Sequence, residues 1–365
     1  MPKRSRPFPL VAVTALTTVL ALTSCGSTSS GSAQQAGKGR IGIALPTTGQ
    51  GWPDDGVNMT EQFGLLGYST MVRNAENDTS VQVEQISDMI KSDVKALIIA
   101  AVDGSALTPT LERAAQKKIP VIAFDRLIMN SENVDYYTTF DNAVVGKLQG
   151  DFLVEALDLK KADGPFNIEL FAGSPDDNNA KYFFDGTMAV LQPYIKSGKL
   201  VVRSGQAAFE ETVTLKWDED MAKARMSNLL KRYYTSARVD AVLSPNDGLA
   251  RGILRALEIA GYGSRAKPYP PVTGQDAELE SVKLIASGVQ AQSILKDSRE
   301  MSKATVQMVD LILQGKKPEV NNTTEYNNGV KVVPSFLLQP VTITKENYEA
   351  KIIKSGIYTA EDVGN

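Results

Sequence analysis

The chain has 365 residues, a formal net charge of −3, 42% hydrophobic and 22% charged residues, enough for two soluble domains of ordinary size. It has no histidine and a single cysteine, which excludes Ser-His-Asp and Cys-His catalysis, histidine-based metal sites and an internal disulfide. There is no basic excess for nucleic acid. Neither a P-loop nor a Gly-x-Gly-x-x-Gly pattern follows a strand, and the Asp-rich stretches lack EF-hand spacing, so no cofactor and no metal is expected.

The first six residues carry Lys3, Arg4 and Arg6, and Leu10 to Leu22 is apolar or small. That run is short for a membrane span and has the layout of an export signal. Leu22-Thr23-Ser24-Cys25-Gly26 follows and looks like a bacterial lipoprotein signal, with Cys25 lipidated. Two or more acyl chains would anchor it stably. Residues 26–39 are rich in Gly, Ser, Ala and Gln, the composition of a flexible tether.

From Arg40 apolar runs alternate with amphipathic ones. Strands are expected at Ile41–Leu45, Tyr68–Arg73, Ala96–Ala101 and Val121–Phe124, with helices at Asp55–Leu66, Ser80–Lys91 and Leu107–Lys117. In the last of these, Leu107, Leu111, Ala114 and Ala115 repeat at helical spacing. The pattern restarts with strands at Asn167–Phe171, Leu200–Ser204, Ala241–Leu243 and Val272–Gly274. The matching helices are Asn179–Leu191, Glu219–Tyr233, Gly248–Ala260 and Glu278–Ala286. Gln292–Lys296, a long helix at Ser298–Leu313, an Asn-rich stretch and an apolar segment at Val332–Val341 complete the chain. This alternation predicts an α/β fold of two Rossmann-like lobes with parallel central sheets, a single very wide sheet being the alternative.

In open α/β sheets ligands bind beyond the carboxyl ends of the strands. Those positions hold Trp52 after the first strand, Asp125-Arg126 after the fourth, Asp176-Asp177-Asn178-Asn179, then Asn246-Asp247, and Asp276; Lys296 follows Leu295, and Trp217 opens a helix. No nucleophile–base pair is among them. The set suits a polyhydroxylated ligand: carboxylates accept from hydroxyls, Arg and Lys donate, Asn does both, and an indole covers a sugar's C–H face. Each residue also has a plain alternative. The Asp and Asn residues could be helix caps or turns, Asp125-Arg126 an ion pair, the indoles core packing and Lys296 a solvated lysine. Asp125 and Asp276 could in principle serve as a glycosidase pair.

Ile41-Gly42-Ile43-Ala44-Leu45-Pro46, Phe124-Asp125-Arg126-Leu127-Ile128, Thr139-Phe140-Asp141-Asn142, Gly173-Ser174-Pro175-Asp176-Asp177-Asn178-Asn179-Ala180, Ser244-Pro245-Asn246-Asp247-Gly248, Gly274-Gln275-Asp276-Ala277 and Asn328-Gly329-Val330-Lys331 occur in that order. Together they resemble the type I periplasmic binding proteins of pentose and hexose ABC importers, nearest to the xylose-binding and ChvE-type multiple-monosaccharide-binding proteins. The resemblance implies a receptor and not an enzyme, capturing a monosaccharide of xylose, arabinose, glucose or galactose type by hinge closure. With the signal segment, it is expected to be exported and lipid-anchored at the outer face of the cell membrane, or periplasmic. The implied sugar contacts are Trp52, Asp125, Arg126, Asp177, Asn179, Trp217, Asn246, Asp276 and Lys296, with Asn178 adjacent. Such proteins often carry a basic residue before the first-loop aromatic; here it is Gly51, so sugar preference is not carried over. The implied lobes are 40–140 plus 297–329 and 141–296 plus 330–365, joined by a three-segment hinge near Phe140, Lys296 and Gly329. Expected partners are a membrane ABC permease or, alternatively, a chemoreceptor or two-component sensor, with no nucleic acid and a monomeric protein.

Overall fold

The computed structural model describes residues 37–49 and 51–364. The expected export signal, Cys25 and all but the end of the tether lie outside the described residues.

The first half builds a six-stranded sheet. Its chain order is β1 (Arg40–Leu45), α1 (Trp52–Leu65), β2 (Ser69–Asn74), α2 (Thr79–Lys91), β3 (Ala96–Ile99), α3 (Thr108–Gln116), β4 (Val121–Phe124) and β5 (Tyr136–Phe140). The strands of this half pair in parallel, β1 lying between β2 and β3, and β4 between β3 and β5. Alternate residues leave a strand on opposite faces. Accordingly Ile41, Ile43 and Leu45 pack with Met59 and Phe63 of α1, whereas Ala44, Leu97 and Ile99 pack with α2 and α3. With both faces covered, the strands read as nearly unbroken apolar runs.

The second half is a three-stranded parallel sheet with β6 (Phe166–Leu170) between β7 (Leu200–Val202) and β8 (Ala241–Leu243). Its helices are α4 (Asn142–Ala156), α5 (Asn178–Lys196), the short α6 (Phe209–Thr212), α7 (Glu219–Tyr233), α8 (Asp247–Ile259) and α9 (Leu279–Ser287). The expected strand at Val272–Gly274 is reduced to a single bridge from Val272 to Val242. Its carbonyls still accept from Ala291 and Ile294, which ties it to β9 (Gln292–Leu295).

The chain passes from the first sheet to the second between β5 and α4. It returns between β9 and α10 (Ser298–Leu313), whose Met301, Val306 and Val309 join the core under β1 and α1. The third crossing differs from the expected one near Gly329. β10 (Ser335–Leu338) pairs in parallel with β5 at the edge of the first sheet. The chain leaves only after it, to β11 (Val341–Thr344), which pairs antiparallel with β9. The Asn-rich stretch holds this edge to the first lobe, since Asn328 Nδ2 donates to the carbonyls of Ile128 and Ser131. Residues 330–338 thus belong with the first sheet and not with the second lobe. The chain ends in α11 (Ala360–Val363), beside α9.

Candidate functional site: a cavity between the two lobes

The carboxyl ends of both sheets face one cavity of about 400 Å³. The first lobe contributes Trp52 at the start of α1 and Asp125 and Arg126 after β4. The second contributes Asp177 and Asn179 after β6, Trp217, Asn246 after β8 and Asp276, and Lys296 comes from the crossing that follows β9. Every predicted contact therefore lines this space except Asn178, which is half-buried at the start of α5 and not among the lining residues. Asp125, Trp217 and Asp276 all have left-handed backbones, with φ of 57°, 55° and 96°. Such conformations are costly away from glycine and concentrate where a structure must aim a side chain.

Lys296 joins the lobes electrostatically. Its Nζ lies 3.1 Å from Asp276 Oδ1 and 3.5 Å from Asp125 Oδ2. Burial alone would discharge the amine, but Asp125 and Asp276 outweigh that, and its pKa is raised. The lysine stays cationic.

Arg126 lies with Nε 3.2 Å from Asp177 Oδ2. Nη1 donates to the Ala101 carbonyl at 3.1 Å, and the guanidinium sits 5.5 Å from the Trp52 ring centre. The Arg126–Asp177 approach meets the distance of an ion pair but not the angle of a hydrogen bond, so Nε–H is buried without an acceptor. Burial pushes the Asp177 carboxyl above its ordinary range, with Arg126 opposing.

The two asparagines are used differently. Asn179 Oδ1 accepts from the Tyr137 hydroxyl and from Asn142 Nδ2, each at 3.0 Å. Its Nδ2 donates to the Asp125 carbonyl at 2.7 Å. It thus fastens α5 of the second lobe to β4 and β5 of the first. Asn246 Oδ1 caps α8 by accepting from Leu249 N at 3.0 Å. Among the described residues, its Nδ2 makes no hydrogen bond.

Trp217 rides on a tight turn in which Lys216 N donates to Ser174 Oγ at 2.7 Å. Its ring lies over Gly173, where a Cβ would come within 2.0 Å of the indole, so this position requires glycine. Phe183 stands edge-on at 6.4 Å. The indole N–H is buried, with no acceptor among the described residues. Both tryptophans also pack into core clusters, so each lines the cavity and fills the core at once. Below the second-lobe rim, buried Asp247 accepts from Gln290 Nε2 at 2.8 Å, Ser293 Oγ at 2.9 Å and Glu278 N at 2.9 Å. This network braces the loop that carries Asp276.

Sequence reasoning missed several lining residues, among them Asp55, Phe183, Gln275 and Tyr358. Phe183 had a usable signal, since it lies one helical turn beyond Asn179 and shares its face. Gln275 lies between Gly274, the end of an expected strand, and Asp276, an expected site residue. Tyr358 belongs to the C-terminal segment, and nothing local marks it. Among the described residues there is no cluster of three or more His, Cys, Asp or Glu able to hold a metal ion. Among them, too, no helix is long and apolar enough to cross a membrane.

Two lobes of parallel α/β structure, crossed repeatedly by the chain and walling one polar cavity, define a two-lobed binding protein. The chain belongs to the periplasmic binding protein family, whose domain it matches over residues 41–317. It is 52% identical to the multiple sugar-binding periplasmic receptor ChvE of Rhizobium radiobacter, over 90% of this chain and 93% of that protein. It is 33% identical to the D-xylose-binding periplasmic protein of Escherichia coli, over 89% and 92%. An ABC transporter solute-binding protein from Clostridium phytofermentans, solved with bound β-D-glucose, superposes with a TM-score of 0.85 at 44% identity, covering 89% of this chain and 99% of that one.

Proposed function

We propose that this protein captures a monosaccharide in the interlobe cavity, closes around it, and presents the closed form to a membrane ABC permease. It is a binding protein and not an enzyme, as are relatives that match nearly its whole length. The observation that carries the reading is Lys296, held at once by Asp125 of one lobe and Asp276 of the other inside the cavity. A ligand hydroxyl placed there would meet groups from both lobes, so its binding energy would favour closure.

The donors and acceptors suit a sugar. Asp125, Asp177 and Asp276 accept from hydroxyls, while the buried Nε–H of Arg126 and the Trp217 indole N–H lack acceptors that ring or hydroxyl oxygens could supply. Trp52 and Trp217 offer apolar surface for C–H faces. Glucose- and xylose-type sugars are the leading candidates, from the names of the relatives and from the glucose-bound structure. We further infer export and tethering through lipidated Cys25, by the signal-like sequence before it. Passage of the signal to a chemoreceptor or sensor is the alternative outlet for the same binding event.

Calorimetric titration with D-glucose, D-galactose, D-xylose, L-arabinose and D-ribose tests the reading. Saturable one-to-one binding of at least one of them is expected. Binding of none would remove it.

A further inference from the structure

Asp55 lies on the first turn of α1, one turn beyond Trp52, and lines the cavity. Its side chain is 6% exposed, and its buried Oδ1 has no hydrogen-bond partner among the described residues. It does not cap its own helix, which begins at Gly51 with no side-chain cap. Nor does it own a counter-charge. The charged groups that face it are Asp54 on the same helix, Asp125 beyond β4, Asp276, and Lys296. That lysine is already shared by Asp125 and Asp276. Burial, reinforced by Asp125, holds the Asp55 carboxyl well above its ordinary pKa. A carboxyl kept neutral in this way has one O–H to donate and retains acceptor capacity. A buried polar atom left without a partner is destabilising, so one that faces a ligand cavity points to the ligand as its partner.

We propose that Asp55 is a further ligand-contacting and specificity-determining residue, whose unpartnered inward oxygen reads one hydroxyl of the bound sugar on the α1 side of the cavity. This rests on the sugar-binding function proposed above. A site built to hydrogen-bond a hydroxyl discriminates strongly against the analogue that lacks it, because its own polar group is then left unpaired.

The test is calorimetric titration of wild-type protein, Asp55→Ala and Asp55→Asn with D-glucose, D-xylose and their monodeoxy analogues, alongside thermal melts of each variant. Asp55→Ala is expected to weaken binding of the parent sugar by roughly 10–100-fold. Against one particular deoxy analogue it should bind within about twofold of wild type, because the lost contact is already absent. Asp55→Asn, which keeps a donor and an acceptor, should retain most of the affinity. Unchanged affinity in Asp55→Ala would overturn the inference. So would weakening by one common factor across the parent sugar and every deoxy analogue, the signature of a merely structural residue. In both cases sugar binding by the wild type would leave the receptor reading standing. If the wild type binds neither D-glucose nor D-xylose, the same series is run with whichever of D-galactose, L-arabinose and D-ribose it does bind; binding of none of the five overturns both.

Discussion

The two lobes reach the same cavity by different local means. In the second lobe the site residues double as helix caps: Asp177 accepts from Asn179 N at the start of α5, and Asn246 accepts from Leu249 N at the start of α8. In the first lobe, α1 starts without a side-chain cap, and Trp52, Asp55 and Asp125 make no capping bond. The difference teaches that capping a helix and lining the cavity are not competing explanations. A cap uses one acceptor of a carboxylate or amide and fixes its rotamer, leaving the rest of the group aimed at the cavity. Two groups of the second wall, Asp177 and Asn246, are therefore held by the caps they make. In the first wall Asp125 is aimed by a left-handed turn without a cap, as Trp217 and Asp276 are in the second, and Lys296 joins the two.

The largest effect is expected where the walls meet. Lys296→Met should leave Asp125 buried and Asp276 half-buried without their cation and lower stability by about 3 kcal/mol, with sugar binding lost. Urea unfolding and calorimetry read the two effects; an unchanged midpoint would detach Lys296 from the joint. Next comes the indole of the second wall. Trp217→Ala should weaken sugar binding by about 2 kcal/mol, roughly 30-fold. Gly173→Ala should weaken it as well while removing no contacting group, because the added methyl overlaps the ring. Full affinity in Gly173→Ala would mean that the ring's position does not matter.

A smaller pair of substitutions separates capping from contact. Asp177 and Asp218 cap α5 and α7, but only Asp177 lines the cavity. Asp218→Ala should cost about 1 kcal/mol of stability, and Asp177→Ala more, because it also leaves the buried Arg126 without its carboxylate. Only Asp177→Ala should also weaken sugar binding, and equal affinities in the two variants would erase the distinction. The smallest effect belongs to the first wall. Because the folded-state pKa of Asp55 is raised, ionising it opposes folding. Its contribution is unimpaired below the unfolded-state pKa near 4 and is lost as pH rises through the folded value. Asp55→Asn should therefore raise Tm by roughly 2 °C at neutral pH, with the gain shrinking to nothing at about pH 4. A gain that is the same at both pH values would mean that the ionisation of Asp55 is not its source.

The residues that were legible beforehand were those whose meaning is local. Strand ends are bounded by the change from apolar runs to Asp, Asn and Gly, and this located part of the cavity wall, while Asp55, Phe183, Gln275 and Tyr358 went unread. Asn178 was drawn in because it adjoins Asn179, yet each step along a helix turns a side chain by about 100°. Of the two, only Asn179 faces inward. α4 passed unread because Gly146 and Gly150 look like helix breakers in sequence. In the fold they are the close-approach points against α5, where a Cβ would lie 1.9 Å from the Phe183 carbonyl oxygen and 2.8 Å from Val190. β5, with Thr138 and Thr139 buried at its centre, lacked the apolar run of its neighbours. The placement of β10 depends on pairing with a strand almost two hundred residues earlier, which no local pattern carries. Asp55 was hidden by its own helix, where an acid in the first turn looks like ordinary dipole matching.

Titration of D-glucose into wild-type protein, Asp125→Ala and Asn246→Ala bears most directly on capture between the lobes, since each substitution removes a group from a different wall. Capture predicts one site in the wild type and a loss of roughly tenfold or more in both variants. Binding that weakens in only one of them, or in neither, would contradict a site shared by the two lobes.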